Sequence, residues 1–420
     1  MPPIDTCSDI RRFGFLLLST DDSPRLTEDL RARIALHDTT GLFGFRGPGT
    51  SVPFGSAENC IEYVVVPSWR NPRWFVPNSR RLIPKLGNII KPQSLRAKIV
   101  WSLAKRLWVT TGYVPFFPDR IRVPQVSSST RHFFPSIAEN NQLVIYTGAP
   151  GIYQKFTIQE MDQNGRIVSF FKCANTPHAV RRIENEAKVL RFLESKPLTF
   201  NYPRLLDTYE RGGVRFLQQS DISSAKARFT LEFTQNHRRA LYSLNKELRT
   251  QTQTALMLDS LRTRIAASIA PDSTKAQLAN TISVVEKRLP NADRLDLTFS
   301  HGDFNPWNIL VSDDGLYVFD WEMGEFRPPL WDYFNFVYHT AFLMGQWDLD
   351  AIESTVTSHA TWIESLDIHM PYRTLWALYL VDITLHYFEH LSLLGPMARN
   401  NVSELAHAFA GACQRLTPVD

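Results

Sequence analysis

The residues best equipped for chemistry are concentrated between Phe299 and Glu322, in the run FSHGDFNPWNILVSDDGLYVFDWE. Asp303 and Asn308 stand five residues apart in an irregular loop held by Gly302 and Pro306, and Asp320 follows twelve residues after Asn308. A carboxylate in such a loop can take the proton of an attacking hydroxyl. An amide oxygen and a second carboxylate are hard ligands suited to Mg²⁺ on nucleotide phosphates. These are the parts that phosphoryl transfer requires.

The elements around them must bring Asp320 back to Asn308. Ile309 to Val311 has the composition of a short strand, Ser312 to Gly315 is a turn, and Leu316 to Phe319 is the returning strand. An antiparallel hairpin is therefore predicted, with Asn308 and Asp320 at its open end.

His301-Gly302-Asp303-Phe304-Asn305-Pro306-Trp307-Asn308 with the later Phe319-Asp320-Trp321-Glu322 resembles the aminoglycoside phosphotransferase and choline kinase family, small-molecule kinases of the protein-kinase-like fold. The resemblance implies an α+β, two-lobed protein-kinase-like fold with an antiparallel-sheet N-lobe and a helical C-lobe. It implies Asp303 as catalytic base, Asn308 and Asp320 as metal ligands, and ATP with Mg²⁺ as cofactors. It does not cover the first 130 residues or so, which are expected to form an N-terminal α/β extension of unknown role. The expected units are 1–130, an N-lobe over 131–220 and a C-lobe over 221–420.

The N-lobe reading rests on its own pattern. Leu143 to Thr147 reads as a strand, Gly148 to Gly151 as a tight turn, Tyr153 to Met161 as a second strand and Arg166 to Ala174 as a third. Gly148 and Gly151 would let backbone N–H groups approach phosphates, although the turn is not the G-x-G-x-x-G of protein kinases. Lys172 stands where the family's fold keeps its phosphate-binding lysine. In the helix predicted over Pro177 to Glu194, the apolar stripe of Val180, Ile183, Ala187, Leu190 and Leu193 includes Glu186 and leaves Glu184 outside. Glu186 is thus preferred as the partner of Lys172, with Glu184 the alternative if the helix phase differs. Strands are expected over Arg204 to Tyr209 and Val214 to Gln218. The fold resemblance implies an adenine-binding hinge near Gln218. From Ser224 to Arg288 the chain reads as C-lobe helices, broken at Ala270 to Ser273.

Only a few residues separate Glu322 from Arg327-Pro328-Pro329-Leu330-Trp331-Asp332, too few for a segment that docks peptide substrates, so a small-molecule hydroxyl acceptor is expected. Amino sugars, amino alcohols and simple sugars are the candidate classes. Asp332, at the start of the next helix, is read as structural. Asp382, His386 and Glu389 share a helical face that either lines an acceptor cleft or is solvated. Trp321, Trp331, Tyr333 and Tyr338 are either an aromatic platform or core. A nucleotidyltransferase on the same fold would keep these residues too, whereas a kinase-like regulatory or binding module would keep the fold and lose the chemistry, and the presence of Lys172, Glu186, Asp303, Asn308 and Asp320 argues against it.

Charge is distributed unevenly over the 420 residues. Residues 1–125 carry 18 Lys and Arg against 10 Asp and Glu, whereas residues 296–420 carry 4 against 17. The acidic C-terminal part suits cations, and the basic segment Arg70 to Arg106, with ten cations and no acid, suits an anionic partner or surface, unless it is a solvated helix. No nucleic-acid motif is recognisable, no apolar run is long enough to span a bilayer, and four scattered cysteines lack metal or disulfide spacing. A cytoplasmic location is the expectation.

Overall fold

The structure is a computed structural model that describes residues 60–68, 71–79, 106, 110, 120–124, 133–138, 140–148, 152–222, 227–289, 293–393 and 399–416. The strand expected over Phe13 to Thr20, the glycine-rich loop before Gly55, the linker over Val126 to Ser129 and most of the basic segment with its helix lie outside the described residues. The chain divides into two compact units, one of residues 1–183 and 205–221 and the other of residues 184–204 and 222–420.

The first unit is built on one antiparallel sheet in the order β3-β1-β2-β4-β5-β6-β8-β7. Its strands are β1 (Cys60–Ser68), β2 (Asn71–Pro77), β3 (Arg120–Pro124), β4 (Gln142–Tyr146), β5 (Phe156–Met161), β6 (Ile167–Ala174), β7 (Leu205–Arg211) and β8 (Val214–Ser220). The five strands expected from Leu143 onward all form, within two or three residues of their predicted ends. The segment expected to stand apart as an extension up to about residue 130 instead supplies β1, β2 and β3 to this same sheet, through the pairing of Phe75 with Ile145 and Trp74 with Tyr146. One apolar core explains the continuity: Tyr63, Val65 and Phe75 are buried with Phe134, Ile145, Ile158, Phe171 and Phe216. A sheet face that buries such residues gains roughly 1.5–3 kcal/mol for each large side chain removed from water, which favours a continuous layer over a free edge.

Helix α1 (Pro177–Leu193) buries Ile183, Ala187, Leu190 and Leu193, as its stripe predicts. The second unit continues with α2 (Gln235–Glu247), β9 (Arg249–Gln253), α3 (Thr254–Ala267), α4 (Asp272–Lys287), β10 (Arg294–Ser300), β11 (Ile309–Ser312), β12 (Gly315–Val318) and β13 (Glu325–Arg327). It ends in α5 (Trp331–Leu343), α6 (Leu349–Ser358), α7 (Ala360–Glu364), α8 (Tyr372–Leu393) and α9 (Arg399–Leu416). The fold is thus α+β, with sheet concentrated in the first unit and helices in the second. The three-stranded sheet β13-β10-β9 was not legible, because β9 reads RTQTQ and has no apolar alternation. No described helix is long and apolar enough to cross a membrane.

Of the two side-chain faces left open by the sequence, the aromatic one is core and the other is half-buried. Trp321, Trp331, Tyr333 and Tyr338 are core residues, each at most 3% exposed. Asp382 and Glu389 of α8 are engaged by Arg264 of α3, and Asp382 also accepts from Trp331 Nε1 at 2.8 Å. Burial alone would raise the Asp382 carboxyl, but Arg327 and Arg264 hold it below the usual range. This face is an ion network that ties α3 and α5 to α8.

Two buried histidines also belong to the second unit's interior. His237 of α2 lies among Phe233, Phe304 and Phe336 and accepts the Thr234 N–H at Nδ1, and burial pulls its pKa down to about 4. Burial takes His339 of α5 down to about 4 as well. Both folded values lie below the unfolded value, so the unfolded chain binds more protons between pH 6.5 and 4, and stability should fall as pH drops through that window. The loss should reach about 3 kcal/mol for each ring. Urea unfolding at pH 7 and pH 5 should show a shallower pH dependence for His237→Phe and His339→Gln than for the wild type; equal slopes would contradict this origin.

Candidate active site

Strand β10 delivers the chain to His301, and a single carboxylate fixes the loop that begins there. Asp332, in the first turn of α5 and 4% exposed, accepts hydrogen bonds from Ser300 Oγ at 2.6 Å, from the His301 N–H at 2.7 Å and from the Gly302 N–H at 3.0 Å. Asp332 is therefore a structural clamp on the loop.

Gly302 has φ +79°, and a Cβ there would lie 2.3 Å from the Met323 carbonyl oxygen, so only glycine fits. His301 is bonded at both ring nitrogens. Its Nδ1 accepts the Asp303 N–H at 3.2 Å, so Nε2 carries the proton and donates to the Phe319 carbonyl at 3.0 Å. The Phe319 N–H in turn donates to the Asn308 carbonyl at 3.1 Å. The predicted hairpin forms, with Ile309 opposite Val318 and Ser312 opposite Gly315. Asp320 thus returns beside Asn308, and its φ of +69° is a left-handed conformation uncommon for aspartate.

The carboxylate of Asp303 is held by two amides. Asn305 Nδ2 donates to Oδ1, and Asn308 Nδ2 donates to Oδ2 at 2.7 Å and to the Asp303 carbonyl at 3.0 Å. With its nitrogen committed to Asp303, Asn308 keeps Oδ1 as a ligand atom. Asn305 is oriented by Asn335, whose Nδ2 donates to Asn305 Oδ1 at 2.8 Å. Sequence reasoning gave Asn305 no role of its own and missed Asn335. The amide at Asn305 was visible inside the motif, whereas Asn335 lies thirty residues on in an aromatic helix without a local signal.

Glu186 is fully buried, and one oxygen each from Glu186, Asp320 and Glu322 lie within 4.8 Å of one another. Glu184 is only half-buried. The neighbouring Asn185 donates to the carbonyls of Glu322 at 3.0 Å and Gly324 at 3.1 Å, which fixes the segment after Asp320 against α1. These three carboxylates form a hard oxygen donor set of the kind that suits a divalent cation such as Mg²⁺. Glu322 joins this group although the sequence did not single it out.

The other predicted residues are in the first unit. Lys172 is 6% exposed on β6, opposite Thr157 of β5 and Leu217 of β8. Gly148 has φ +74°, and a Cβ there would meet the Lys155 carbonyl oxygen at 2.2 Å. Its own carbonyl accepts from Arg73 Nη1 at 2.7 Å. Gly151 lies outside the described residues. Gln218 sits inside β8 with β6 paired on one side and β7 on the other, and its side-chain amide bonds Ser136 at 2.9 Å and Ser169 at 3.1 Å. The pairing with β7 ends at Gln219 and that with β6 at Ser220.

Replacing Gly302 by alanine should combine the left-handed backbone cost with a clash against Met323, for a loss of about 2 kcal/mol or more and of activity. Gly213 has φ +73°, and a Cβ there would have nothing within 4 Å, so Gly213→Ala isolates the backbone cost alone. Thermal unfolding that ranks the two variants equally would contradict the close approach at Gly302.

No curated protein sequence matches the chain. Among solved structures, an ADP-bound aminoglycoside phosphotransferase APH(2'')-Ib is similar at 12% identity and TM-score 0.43, covering 69% of this chain and 99% of that one. A choline/ethanolamine kinase family protein from Mesorhizobium loti gives 14% identity and TM-score 0.41, over 62% of this chain and 85% of the other. A glucosamine kinase gives 12% and 0.35, over 67% and 92%. The family model described as the phosphotransferase enzyme family matches residues 162–353, the stretch that holds Lys172, Glu186, Asp303, Asn308 and Asp320, and over that stretch the chain is similar to this family.

Proposed function

We propose that the protein transfers the terminal phosphoryl group of ATP to a hydroxyl of a small polar acceptor. The observation that carries this reading is the Asp303 carboxylate, fixed by the Asn305 and Asn308 amides in a loop whose hairpin returns Asp320 to Asn308. A carboxylate held in this way keeps its orientation without a substrate, which is the preorganisation a general base needs. The hydrogen bonds from the Asn305 and Asn308 amides favour the ionised form, the one that can take a proton.

In this reading Asn308 and Asp320 hold Mg²⁺, with Glu322 beside them, and the bound ion would supply charge neutralisation to the phosphates. Lys172 and Gly148 are the residues assigned to the phosphates. The similarity of residues 162–353 to a phosphotransferase family supports the reaction class. The acceptor classes are amino sugars, amino alcohols and sugars.

The deciding experiment incubates the purified protein with Mg²⁺ and ATP across these acceptors and reads the product by mass. A gain of one phosphoryl unit is expected, whereas a gain of AMP would establish the nucleotidyltransferase instead. Asp303→Asn should lower turnover by roughly 10²- to 10⁴-fold, because the amide preserves shape and cannot take a proton. Calorimetric affinity for Mg²⁺ and ATP should stay within about threefold of wild type, since Asp303 is not assigned to the metal. Undiminished turnover in Asp303→Asn would remove it as the base.

A further inference from the structure

A base alone does not select an acceptor, since it takes a proton from whichever hydroxyl is brought to it. The residues bonded in series to Asp303 supply a second, fixed polar group. Asn305, Asn335 and His339 are buried, each at most 6% exposed, while Asp303, Trp307 and Tyr387 are only half-buried. Asn305 joins Asp303 to Asn335, and one turn along α5 the His339 Nδ1 meets the Asn335 carbonyl at 2.9 Å. His339 Nε2 meets the Tyr387 hydroxyl at 2.6 Å. On its other side the His339 ring faces Trp307 of the catalytic loop, with centroids 6.1 Å apart.

The direction of each proton is set by the partners. A carbonyl can only accept, so Nδ1 carries the imidazole proton. Burial keeps the ring neutral, and Nε2 is therefore a lone pair. The Tyr387 hydroxyl must donate to it. Its proton is committed, and what the phenol presents elsewhere is oxygen lone pairs. The ring cannot easily swing away, because it stacks on Phe409 of α9 at 5.5 Å and 13°. Burial and then the nearby Asp303 charge push the Tyr387 hydroxyl up from its ordinary pKa, so it stays protonated and the polarity does not reverse.

We propose that Tyr387 is a specificity-determining residue whose phenolic oxygen accepts a hydrogen bond from a second O–H or N–H of the acceptor, adjacent to the hydroxyl that Asp303 deprotonates. His339 is the positioning residue that fixes the phenol proton. The inference rests on the phosphotransferase reading above. A freely rotating tyrosine would tolerate either a donor or an acceptor at that place. This one favours a donor, and it disfavours an ether or a bare methylene, which leaves the phenol oxygen unpaired.

The test uses the full chain with saturating Mg²⁺ and ATP on uncharged pairs of small acceptors of which one member lacks the second donor: ethane-1,2-diol against 2-methoxyethanol, and glucose against 2-deoxyglucose. ADP release gives the rates, and ³¹P NMR confirms the product. Wild type should prefer the donor-bearing member by at least about tenfold in kcat/KM. Tyr387→Phe should reduce that preference to below about threefold, with the loss falling on KM of the donor-bearing member. His339→Gln, whose amide oxygen can still take the phenol proton, should retain the preference, and His339→Leu should lose it. A purely structural role would lower thermal stability and leave the preference intact in the folded fraction, which would overturn the proposal. Turnover on none of the pairs by a wild type that still binds Mg²⁺ and ATP would overturn the acceptor assignment alone. A wild type that binds no nucleotide would overturn the phosphotransferase reading and this inference with it.

Discussion

The loop that carries Asp303 depends on one buried carboxylate in the helix that follows it. Asp332 accepts three hydrogen bonds from Ser300, His301 and Gly302, and so satisfies two backbone donors that an irregular loop would otherwise leave unpaired in the interior. An unmet buried donor costs about 1–3 kcal/mol, so the loop has one favourable path and not several. The position of Asp332 in the first turn of α5 adds the favourable end of the helix dipole. Loop and helix are thereby coupled: the contacts that fix the start of α5 also fix the backbone that carries Asp303.

From that anchor the order propagates through a chain of single-valued choices. His301 must be protonated at Nε2, because Nδ1 receives an N–H, and this makes it a donor to Phe319. Phe319 is then gripped from both sides, by His301 and by Asn308, and Asp320 comes next in a left-handed conformation that the surrounding bonds over-determine. The approach of Gly302 to Met323 closes the circuit. A backbone fixed in this way brings carboxylate oxygens of Glu186, Asp320 and Glu322 within 4.8 Å of one another.

Much of the site was legible because its residues are close in sequence and its hairpin has a strong turn. Asp303, Asn308 and Asp320 come together for the reason the pattern of Ile309 to Phe319 gives, and Glu186 rather than Glu184 is the buried carboxylate because helix periodicity fixes its face. Asn335, His339 and Tyr387 were not legible as a group, since they reach the loop from α5 and α8 and no local period joins them. For Asp382 and Glu389 the sequence left a cleft face and a solvated face open, because their partner Arg264 lies more than a hundred residues earlier. Periodicity tells which side chains share a face and is silent on what covers it.

The segment before residue 130 is set apart in the sequence because the family resemblance does not reach it. Yet the sheet is determined by apolar residues, and Tyr63, Val65 and Phe75 face the same core as Ile158 and Phe216. Arg73 makes the connection specific. Its side chain is buried, which lowers its pKa, and Nη1 donates to the carbonyl of Gly148, a residue of the glycine turn whose placement forbids a side chain. Thr147, just before that glycine, is bonded through its N–H to the Arg73 carbonyl at 3.0 Å. Thr147 and Gly148, just after β4, are thus held by β2, so within the first unit the added strands and the end of β4 form one structural piece. A chain cut at residue 130 would lose the partner of Gly148 along with three strands, and its remaining sheet would expose the β4 edge that β2 covers.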